Sequence, residues 1–412
     1  MDFVPLAILL IVFALIARRT VGGKRLQIWE IMSLGALGAL FLGQITPLAA
    51  FNSINLNVIF FLAGMFIIGE AGIKSGYILN LFTRVLHGAK NMDYLIIIMI
   101  FFVGLISTIL LNDTLAIIGT PVMLVLARRL RINHKALLFT LSFAITTGSV
   151  MSPIGNPQNL LIAASGFVGN PFVDFFSRLF VPTIINLLLV YVVIRFFFGN
   201  IFDDKPRRIN VSPIKDKSLA MLTKSSLLLL IAMMIIYSLS SFFIHQTIPL
   251  SSIALISALP IIIFAKDRYK IIKNIDWKTI AFFISMFILM QSVFLSGVFQ
   301  TLINYYDINV TSTAAILSFS IIVSQFLSNV PLVALFIPII AGSGATIGSF
   351  IALAAGSTIA GNFLLLGAAS NIIIVNSTER MKKEPYGFLE FAKIGAVLTL
   401  LNALVYWIFL SI

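Results

Sequence analysis

Leu111-Asn112-Asp113-Thr114 and Ser328-Asn329-Val330-Pro331 are short polar stretches inside two long apolar runs, and they decide how this chain folds. Each run is about 30 residues long, whereas one membrane crossing needs about 20. The apolar arm after the first break, residues 115–127, would extend only about 20 Å as a helix, and the arm after the second break is shorter. Both runs are therefore predicted to form re-entrant hairpins that enter the membrane and return to the same side. The predicted hairpins are residues 94–128 and 311–343.

Composition places the chain in a membrane. Of its 412 residues, 59% are hydrophobic and 10% are charged, and the mean hydropathy is +1.07. An ordinary soluble domain has about a quarter charged residues, so a soluble enzyme, a disordered chain and a secreted disulfide scaffold are excluded. The absence of cysteine excludes disulfides, iron–sulfur clusters and cysteine nucleophiles. The three histidines have no partner at metal-ligand spacing, so no metal site is predicted.

Uninterrupted apolar segments predict eight membrane crossings. Two further segments, within residues 136–166 and 349–376, carry polar or glycine breaks near the middle and are predicted to cross once each as broken helices. The expected fold is an all-α polytopic membrane protein with about ten transmembrane helices and two re-entrant hairpins. The eight uninterrupted segments are residues 3–17, 28–45, 56–73, 172–198, 225–244, 250–265, 279–296 and 388–410.

Basic residues predict which side of the membrane each loop faces. With the N-terminus outside, nearly all lysines and arginines near membrane ends fall in the cytoplasm, and Arg178 is the clear exception. The positive-inside rule therefore predicts a multi-pass protein of the cell membrane with both termini outside. The net charge of +13 arises from these predicted cytoplasmic lysines and arginines.

The polar breaks recur in the same order along the chain, which predicts an internal repeat. Residues 55–76 align without a gap on residues 276–297, and Asn112 then falls on Asn329. Further along, Gly155-Asn-Pro-Gln-Asn159 falls on Gly367-Ala-Ala-Ser-Asn371, and Phe172-Val-Asp174-Phe on Phe388-Leu-Glu390-Phe. The first copy begins by crossing inwards and the second outwards, so the repeats are expected to have inverted topology, which is typical of secondary transporters.

The predicted organisation has five parts, two of which are the repeats. Each repeat contains one hairpin and one broken helix, the latter over residues 135–166 and 349–378. The five parts are residues 1–54 (N-terminal scaffold helices), 55–198 (repeat 1), 199–222 (cytoplasmic basic linker), 223–275 (scaffold helices) and 276–412 (repeat 2).

The candidate site consists of the polar breaks, because such breaks meet near the membrane midplane in inverted-repeat transporters. Each break directly precedes a helical segment, so four helix N-termini would direct N–H groups and positive dipole ends to one place. An alternative role for these residues is helix capping. The residues predicted to bind substrate are Asn112, Thr114, Asn156, Asn159, Ser328, Asn329, Ser370 and Asn371.

Two acidic residues in predicted membrane segments are candidates for ion or proton coupling. Asp113 lies in the first hairpin tip, where a carboxylate is costly unless it is paired, protonated or bound to a cation, although it could also serve as an N-cap. Glu70 could instead form an i,i+4 pair with Lys74 near the cytoplasmic interface. No motif for ATP hydrolysis or covalent catalysis stands in a usable context. The chain is therefore not expected to be an enzyme, and no cofactor is expected beyond a coupling ion, H+ or Na+.

These motifs together resemble the ion transporter superfamily, and within it the arsenite permeases and NhaD-type sodium/proton antiporters. The segment from Ala369 to Gly395 is also similar to the melanosomal P protein. The resemblance covers residues 28–405 and implies two inverted repeats, a site at hairpin tips and unwound segments, and an elevator-like transport domain. Related dicarboxylate and citrate carriers have Ser-Asn-Thr at both tips, whereas this chain has Asn-Asp-Thr and Ser-Asn-Val. An ionised Asp113 would repel a polycarboxylate.

The leading hypothesis is a proton-coupled secondary transporter that exports arsenite, antimonite or a similar small inorganic solute. One alternative is a sodium/proton antiporter in which Asp113 binds sodium and protons in turn. Another is a sodium-coupled anion or dicarboxylate transporter that uses the four helix N-termini. A passive channel is disfavoured, because hairpins from opposite faces argue against an open pore. The expected partners are the solute, the coupling ion, the lipid bilayer and a second copy in a homodimer, with no nucleic acid.

Overall fold

The computed structural model describes residues 3–18, 20–21, 24–202, 210–243, 248–298, 300–301, 312–344 and 346–411. Residues 203–209 of the predicted linker lie outside the described residues. Helices make up nearly all of the described chain, and the strands found there are a two-residue antiparallel pair, β1 (Thr20–Val21) and β2 (Lys24–Arg25). The all-α prediction is confirmed. The helices are α1 (Val4–Arg18), α2 (Ile28–Phe41), α3 (Pro47–Ser53), α4 (Leu56–Ser75), α5 (Tyr77–Leu86), α6 (Met92–Ile106), α7 (Asn112–Leu130), α8 (His134–Ser149), α9 (Pro157–Ala164), α10 (Pro171–Phe197), α11 (Lys217–Phe243), α12 (Leu250–Phe264), α13 (Arg268–Asn274), α14 (Trp277–Leu295), α15 (Thr313–Leu327), α16 (Asn329–Gly342), α17 (Ile347–Ile359), α18 (Ala369–Arg380) and α19 (Phe388–Ser411).

Five of the described helices, α4, α10, α11, α14 and α19, are long and apolar enough to cross a membrane. Their outward faces are apolar as well: Phe196 of α10 is 80% exposed and Leu389 of α19 is 81% exposed. An apolar surface of this extent is stable against lipid and costly against water. The chain is therefore a multi-pass membrane protein. The number of crossings and their orientation stay predictions, because the other apolar helices are shorter.

Each predicted hairpin is a pair of helices interrupted at its polar residues. In the first, α6 and α7 are joined by residues 107–111, and α7 has 19 residues, about 28 Å. This helix is longer than the predicted apolar arm, residues 115–127, because it begins at Asn112 and continues through Arg128 and Arg129 until Arg131 adopts the left-handed conformation at φ 60°. In the second, Ser328 alone separates α15 from α16. The re-entrant path of both pairs stays a prediction.

The two predicted broken helices are also interrupted. Residues 150–156 separate α8 from α9, and residues 360–368 separate α17 from α18. The helices therefore follow one order twice, first as α4 and α6 to α10, then as α14 and α15 to α19. This repeated order agrees with the internal repeat, whereas the inverted orientation of the two copies stays a prediction.

Glycine residues let the helices near the breaks approach closely. A Cβ on Gly148 of α8 would overlap the Cα of Gly104 of α6, and a Cβ on Gly395 of α19 would overlap the carbonyl oxygen of Asn362. Small residues are the usual means of close helix packing in membranes. These contacts hold α8 against α6, and α19 against the break between α17 and α18.

Candidate functional site

A cavity of about 540 Å³ collects residues from all four breaks. The starts of α2 and α14 also contribute to its wall, through Trp29 and Phe282 among others. The first turns of four helices therefore meet at one place. Their wall residues are Asn112 and Asp113 of α7, Pro157 and Gln158 of α9, Asn329 and Val330 of α16, and Ala369 and Ser370 of α18.

Three of these helix starts have no side-chain cap. Leu111, Ser328 and Ala368 occupy the N-cap positions of α7, α16 and α18, and none of their side chains accepts a hydrogen bond from the helix that follows. Asn112 and Asn329 are the first helical residues and not N-caps, so the capping alternative is wrong for both. Asn112 Nδ2 donates a hydrogen bond to the Ser149 hydroxyl at 3.2 Å, whereas the Oδ1 atoms of Asn112 and Asn329 have no partner among the described residues and remain available to a ligand. The positive dipole ends of the helices also lie at the cavity wall.

Three buried side-chain oxygens at the cavity have no hydrogen-bond partner within the described part of the chain. They are Asn112 Oδ1, Thr146 Oγ1 and Asn329 Oδ1. Asn112 is 6% exposed and Asn329 is 4% exposed, so bulk water does not compensate them. An unpaired buried polar atom costs about 1–3 kcal/mol. A solute with hydroxyl donors, or a cation, would satisfy oxygens of this kind.

Asp113 is the acidic residue among the first turns of α7, α9, α16 and α18 on the cavity wall. No lysine, arginine or histidine of the described ranges lies within salt-bridge distance of it. Asp276, a second carboxylate of the cavity, caps α14 by accepting hydrogen bonds from the Thr279 N–H at 3.1 Å and the Thr279 hydroxyl at 2.6 Å. The charges of Asp113 and Asp276 repel each other. The arrangement favours uptake of a proton or a cation at Asp113.

Asn156 and Asn159, predicted to bind substrate, stabilise the break between α8 and α9 (residues 150–156) by hydrogen bonds. Asn156 caps α9 by accepting a hydrogen bond from the Asn159 N–H at 2.8 Å, and its Nδ2 donates to the Ser149 hydroxyl at 3.0 Å. Asn159 Nδ2 donates to the backbone carbonyls of Ser149, Val150 and Ser152. Asn159 Oδ1 accepts a hydrogen bond from the Thr358 hydroxyl at 3.2 Å. Both asparagines are fully buried and neither lies on the cavity wall, so substrate contact by either stays a prediction.

At the break between α17 and α18 (residues 360–368), one of the two predicted ligands lies on the cavity wall and the other does not. Ser370 lies on the cavity wall, as does Ser328. Asn371 lies behind the wall: its Oδ1 accepts from the Ser142 hydroxyl at 2.5 Å, and its Nδ2 donates to the Gly361 carbonyl at 2.7 Å. Thr114 is buried against α4, where a Cβ on Gly69 would overlap its methyl group. For Asn371 and Thr114, too, substrate contact stays a prediction.

Glu70 lies away from the cavity wall. Its side chain is partly buried and hydrogen-bonds to Asn274. Lys74 forms its ion pair with Asp267, at 2.8 Å, so the predicted i,i+4 pair with Glu70 is not the contact that Lys74 makes. The hydrogen bond from Lys74 to Asp267, together with the charge of Lys270, holds the pKa of Asp267 below its usual range. A coupling role for Glu70 stays a prediction.

Several wall residues were missed by reasoning from the sequence. Thr146 and Thr358 belong to α8 and α17, where a hydroxyl inside an apolar helix gives no signal of its own. Gln158 lies in the repeated stretch from Gly155 to Asn159, of which only the two asparagines were predicted to bind substrate. The charged wall residues also look like ordinary helix flanks in the sequence, and they are Asp276, Lys278, Glu379 and Arg380.

The known proteins to which this chain is similar are transporters. The uncharacterized transporter Rv2684 of Mycobacterium tuberculosis (strain ATCC 25618 / H37Rv) is 28% identical over 391 residues, which are 89% of each chain. A transporter named arsB from Dictyostelium discoideum is 22% identical and covers 90% of this chain and 85% of its own. The crystal structure of the YdaH transporter of Alcanivorax borkumensis has the same fold, with a TM-score of 0.59 over 99% of this chain and 97% of that one at 13% identity.

The family match is more extensive than any single motif. Residues 8–353 match the family described as CitMHS, citrate transporter. This match and the arsB relative confirm the resemblance to the ion transporter superfamily. The chain is accordingly a secondary transporter of the CitMHS and arsB-like type and belongs to the CitMHS citrate transporter family.

Proposed function

We propose that this transporter moves a small, oxygen-rich inorganic solute such as arsenite or antimonite out of the cell in exchange for protons. The observation that carries the proposal is Asp113, a carboxylate without a cationic partner in the described chain, on a wall built from four helix starts. Such a carboxylate is a suitable carrier for a coupling proton. The name of the arsB relative supports the same solute.

The unpaired oxygens favour a neutral hydroxide as the solute. Arsenous acid carries three hydroxyl donors and no charge, and Asn112, Thr146 and Asn329 present three oxygens without partners in the described chain. The carboxylates of a polycarboxylate offer only acceptors and would repel an ionised Asp113. The proposed contacts are therefore hydrogen bonds from solute hydroxyls to these side chains.

The energy of one proton is sufficient for useful export. One charge moved across 100 mV yields about 2.3 kcal/mol. A hundredfold gradient of a neutral solute requires about 2.7 kcal/mol. One proton at an ordinary membrane potential therefore nearly supports a hundredfold gradient, and a modest pH difference supplies the remainder.

The movement we propose is elevator-like. The helix starts and breaks form one side of the cavity, and α2 and α14, which pack against each other, contribute the rest. In this scheme the helices of the breaks carry the solute along α2 and α14. Protonation of Asp113 removes its charge and lowers the cost of that movement.

A second candidate is an organic anion such as citrate, carried with a cation. Three observations favour it: the family match, the cavity volume of about 540 Å³, and the presence of Lys278 and Arg380 on the wall. The helix starts would supply N–H donors to carboxylates. A cation or a proton at Asp113 would be needed to remove the repulsion. A sodium/proton antiporter, which would use Asp113 alone, is a third outcome of the same experiment.

The test is transport into everted membrane vesicles with an imposed proton gradient, a sodium gradient or neither. Arsenite, antimonite, citrate and sodium are offered separately to the native chain, Asp113→Asn and Asp216→Asn. We expect proton-driven arsenite accumulation that falls at least about tenfold, or 1.4 kcal/mol, in Asp113→Asn. Asp216→Asn is the control, because Asp216 caps α11 away from the cavity wall and asparagine also caps helices well. Citrate or sodium movement without arsenite movement would contradict the proposal.

A further inference from the structure

A second buried polar cluster lies between α10 and α19, away from the cavity wall. Its members, Thr183, Asn186, Thr399, Asn402 and Tyr406, are each at most 4% exposed. Thr183 and Tyr406 share a hydrogen bond of 2.8 Å between their hydroxyls. Asn186 contacts the Tyr406 hydroxyl, but neither of its polar atoms makes a hydrogen bond of good geometry among the described residues. Both polar atoms of Asn402 and the hydroxyl of Thr399 likewise have no partner there. So many unpaired atoms inside one membrane-spanning helix pair require an explanation.

The cluster follows the internal repeat. Extending the match of Phe172-Val-Asp174-Phe with Phe388-Leu-Glu390-Phe without a gap places Thr183 on Thr399 and Asn186 on Asn402. The same register places Val190 on Tyr406. All of these residues are buried, so the two helices present the same face to each other. That is the property of a self-complementary contact about a twofold axis.

A twofold axis determines which positions of the two helices face each other. In a self-complementary contact, if position i of one copy meets position j of the other, then j meets i. Because Thr183 meets Tyr406, Val190 must face Thr399. Valine has no hydrogen-bonding group, which accounts for the unpaired Thr399 hydroxyl. This register places the axis between positions 186 and 187 of α10 and between positions 402 and 403 of α19. Asn186 and Asn402 are therefore expected on either side of the axis, next to each other.

We propose that Asn186 and Asn402 form a carboxamide pair on this axis and hold the two repeats in an antiparallel register. A carboxamide both donates and accepts, so two of them can satisfy each other with a small change of side-chain rotamer. Buried amides pair well between membrane helices because the alternative is an unsatisfied polar group. Since α10 follows α9 and α19 follows α18, the pair connects the helices that supply half of the cavity's helix starts. The inference does not depend on the identity of the solute.

Cysteine cross-linking of the full chain in native membranes tests the register. The chain contains no cysteine, so paired cysteine substitutions have no background. We expect Asn186→Cys with Asn402→Cys to form an intramolecular disulfide under mild oxidation, visible as a shift in gel mobility. Thr183→Cys with Thr399→Cys is the control, because in the antiparallel register these positions lie seven residues apart, about 10 Å along the helices. Cross-linking of the control pair in place of the central pair, or of neither pair, would overturn the proposal.

A thermal-unfolding cycle tests the pairing itself. Asn186→Leu and Asn402→Leu are measured singly and together in the detergent-solubilised chain. We expect each single change to lower the melting temperature, because it leaves the other amide without a partner, and the double variant to melt no lower than the worse single variant. Additive losses would mean that the two amides do not interact. A chain that transports no arsenite but shows the expected cross-link would remove the proposed function and leave this inference intact.

Discussion

Ser328 combines a backbone conformation that favours glycine with a place on the cavity wall. Its φ is 61° and its ψ is 158°, a region that costs about 1–3 kcal/mol for a residue with a Cβ. Such strain at the start of α16 is held in place by the surrounding packing.

Replacing Ser328 separates this strain from the chemistry of its hydroxyl. We expect Ser328→Gly to raise the free energy of unfolding by up to about 1 kcal/mol, because relief of strain exceeds the extra freedom of the unfolded chain. Ser328→Ala keeps the strain and should show no such gain. If the hydroxyl contacts solute, both variants should transport with a higher KM. A Ser328→Gly variant that is less stable than Ser328→Ala would contradict this account.

The two kinds of predicted ligand should respond oppositely to substitution. Asn159→Leu removes three hydrogen bonds to the backbone carbonyls of residues 149–152 and one from the Thr358 hydroxyl of α17. It should therefore lower the free energy of unfolding by more than about 2 kcal/mol. Ser370→Ala lies on the cavity wall and should alter stability by less than about 0.5 kcal/mol while changing the solute concentration for half-maximal transport. Thermal unfolding and transport kinetics on the same preparations provide both readouts. The account fails if Asn159→Leu is as stable as the native chain.

At the scale of elements, the contact between α6 and α8 depends on two glycines. Gly148→Ala would drive a methyl group into Gly104, so the helices must separate, at a cost of about 1–3 kcal/mol. Gly38→Ala is the matched control, because no atom lies near its Cβ position within α2 and alanine is the better helix former. We expect a lower melting temperature for Gly148→Ala alone, measured in detergent. Equal losses in both variants would mean that close packing is not the cause.

The helices themselves were largely predictable, and their ends were not. Long apolar runs and polar interruptions located the breaks at Asn112, Asn156 and Ser328, because an apolar helix must satisfy its own backbone in lipid. The length of α7 was underestimated, since the helix begins at Asn112, within the polar stretch, and continues through two arginines to Leu130. Helix ends depend on which neighbours satisfy the last backbone groups, and a single sequence does not show those neighbours.

At the scale of the whole molecule, the cavity should open towards the cytoplasm. It reaches Lys278 and Arg380, which are exposed and which the positive-inside rule assigns to the cytoplasmic side. Ser218→Cys lies on the same predicted side, and Gly169→Cys, in the loop between the predicted crossings of residues 136–166 and 172–198, lies on the opposite one; both positions are exposed.

Labelling of these cysteines in a chain without native cysteine tests the orientation. A membrane-impermeant maleimide should label Gly169→Cys in intact cells and Ser218→Cys only after permeabilisation. The reverse pattern would invert the topology and place the cavity opening outside. Labelling of both positions in intact cells would mean that the two sites share one side, which the predicted crossing count forbids.

The sequence by itself determined that this chain is a multi-pass helical membrane protein with two series of interrupted helices, because apolar length and polar breaks act locally along the chain. Only the tertiary structure decided which polar residues of the breaks face the cavity. Asn112 and Asn159 have the same side chain and both lie in the first turn of a helix. Asn112 lies on the wall with an oxygen that has no partner among the described residues, whereas the side chain of Asn159 is hydrogen-bonded to residues 149–152 and to Thr358. The direction of a side chain and the identity of its partners arise from the packing of segments distant in sequence, as they do for Asn186 and Asn402.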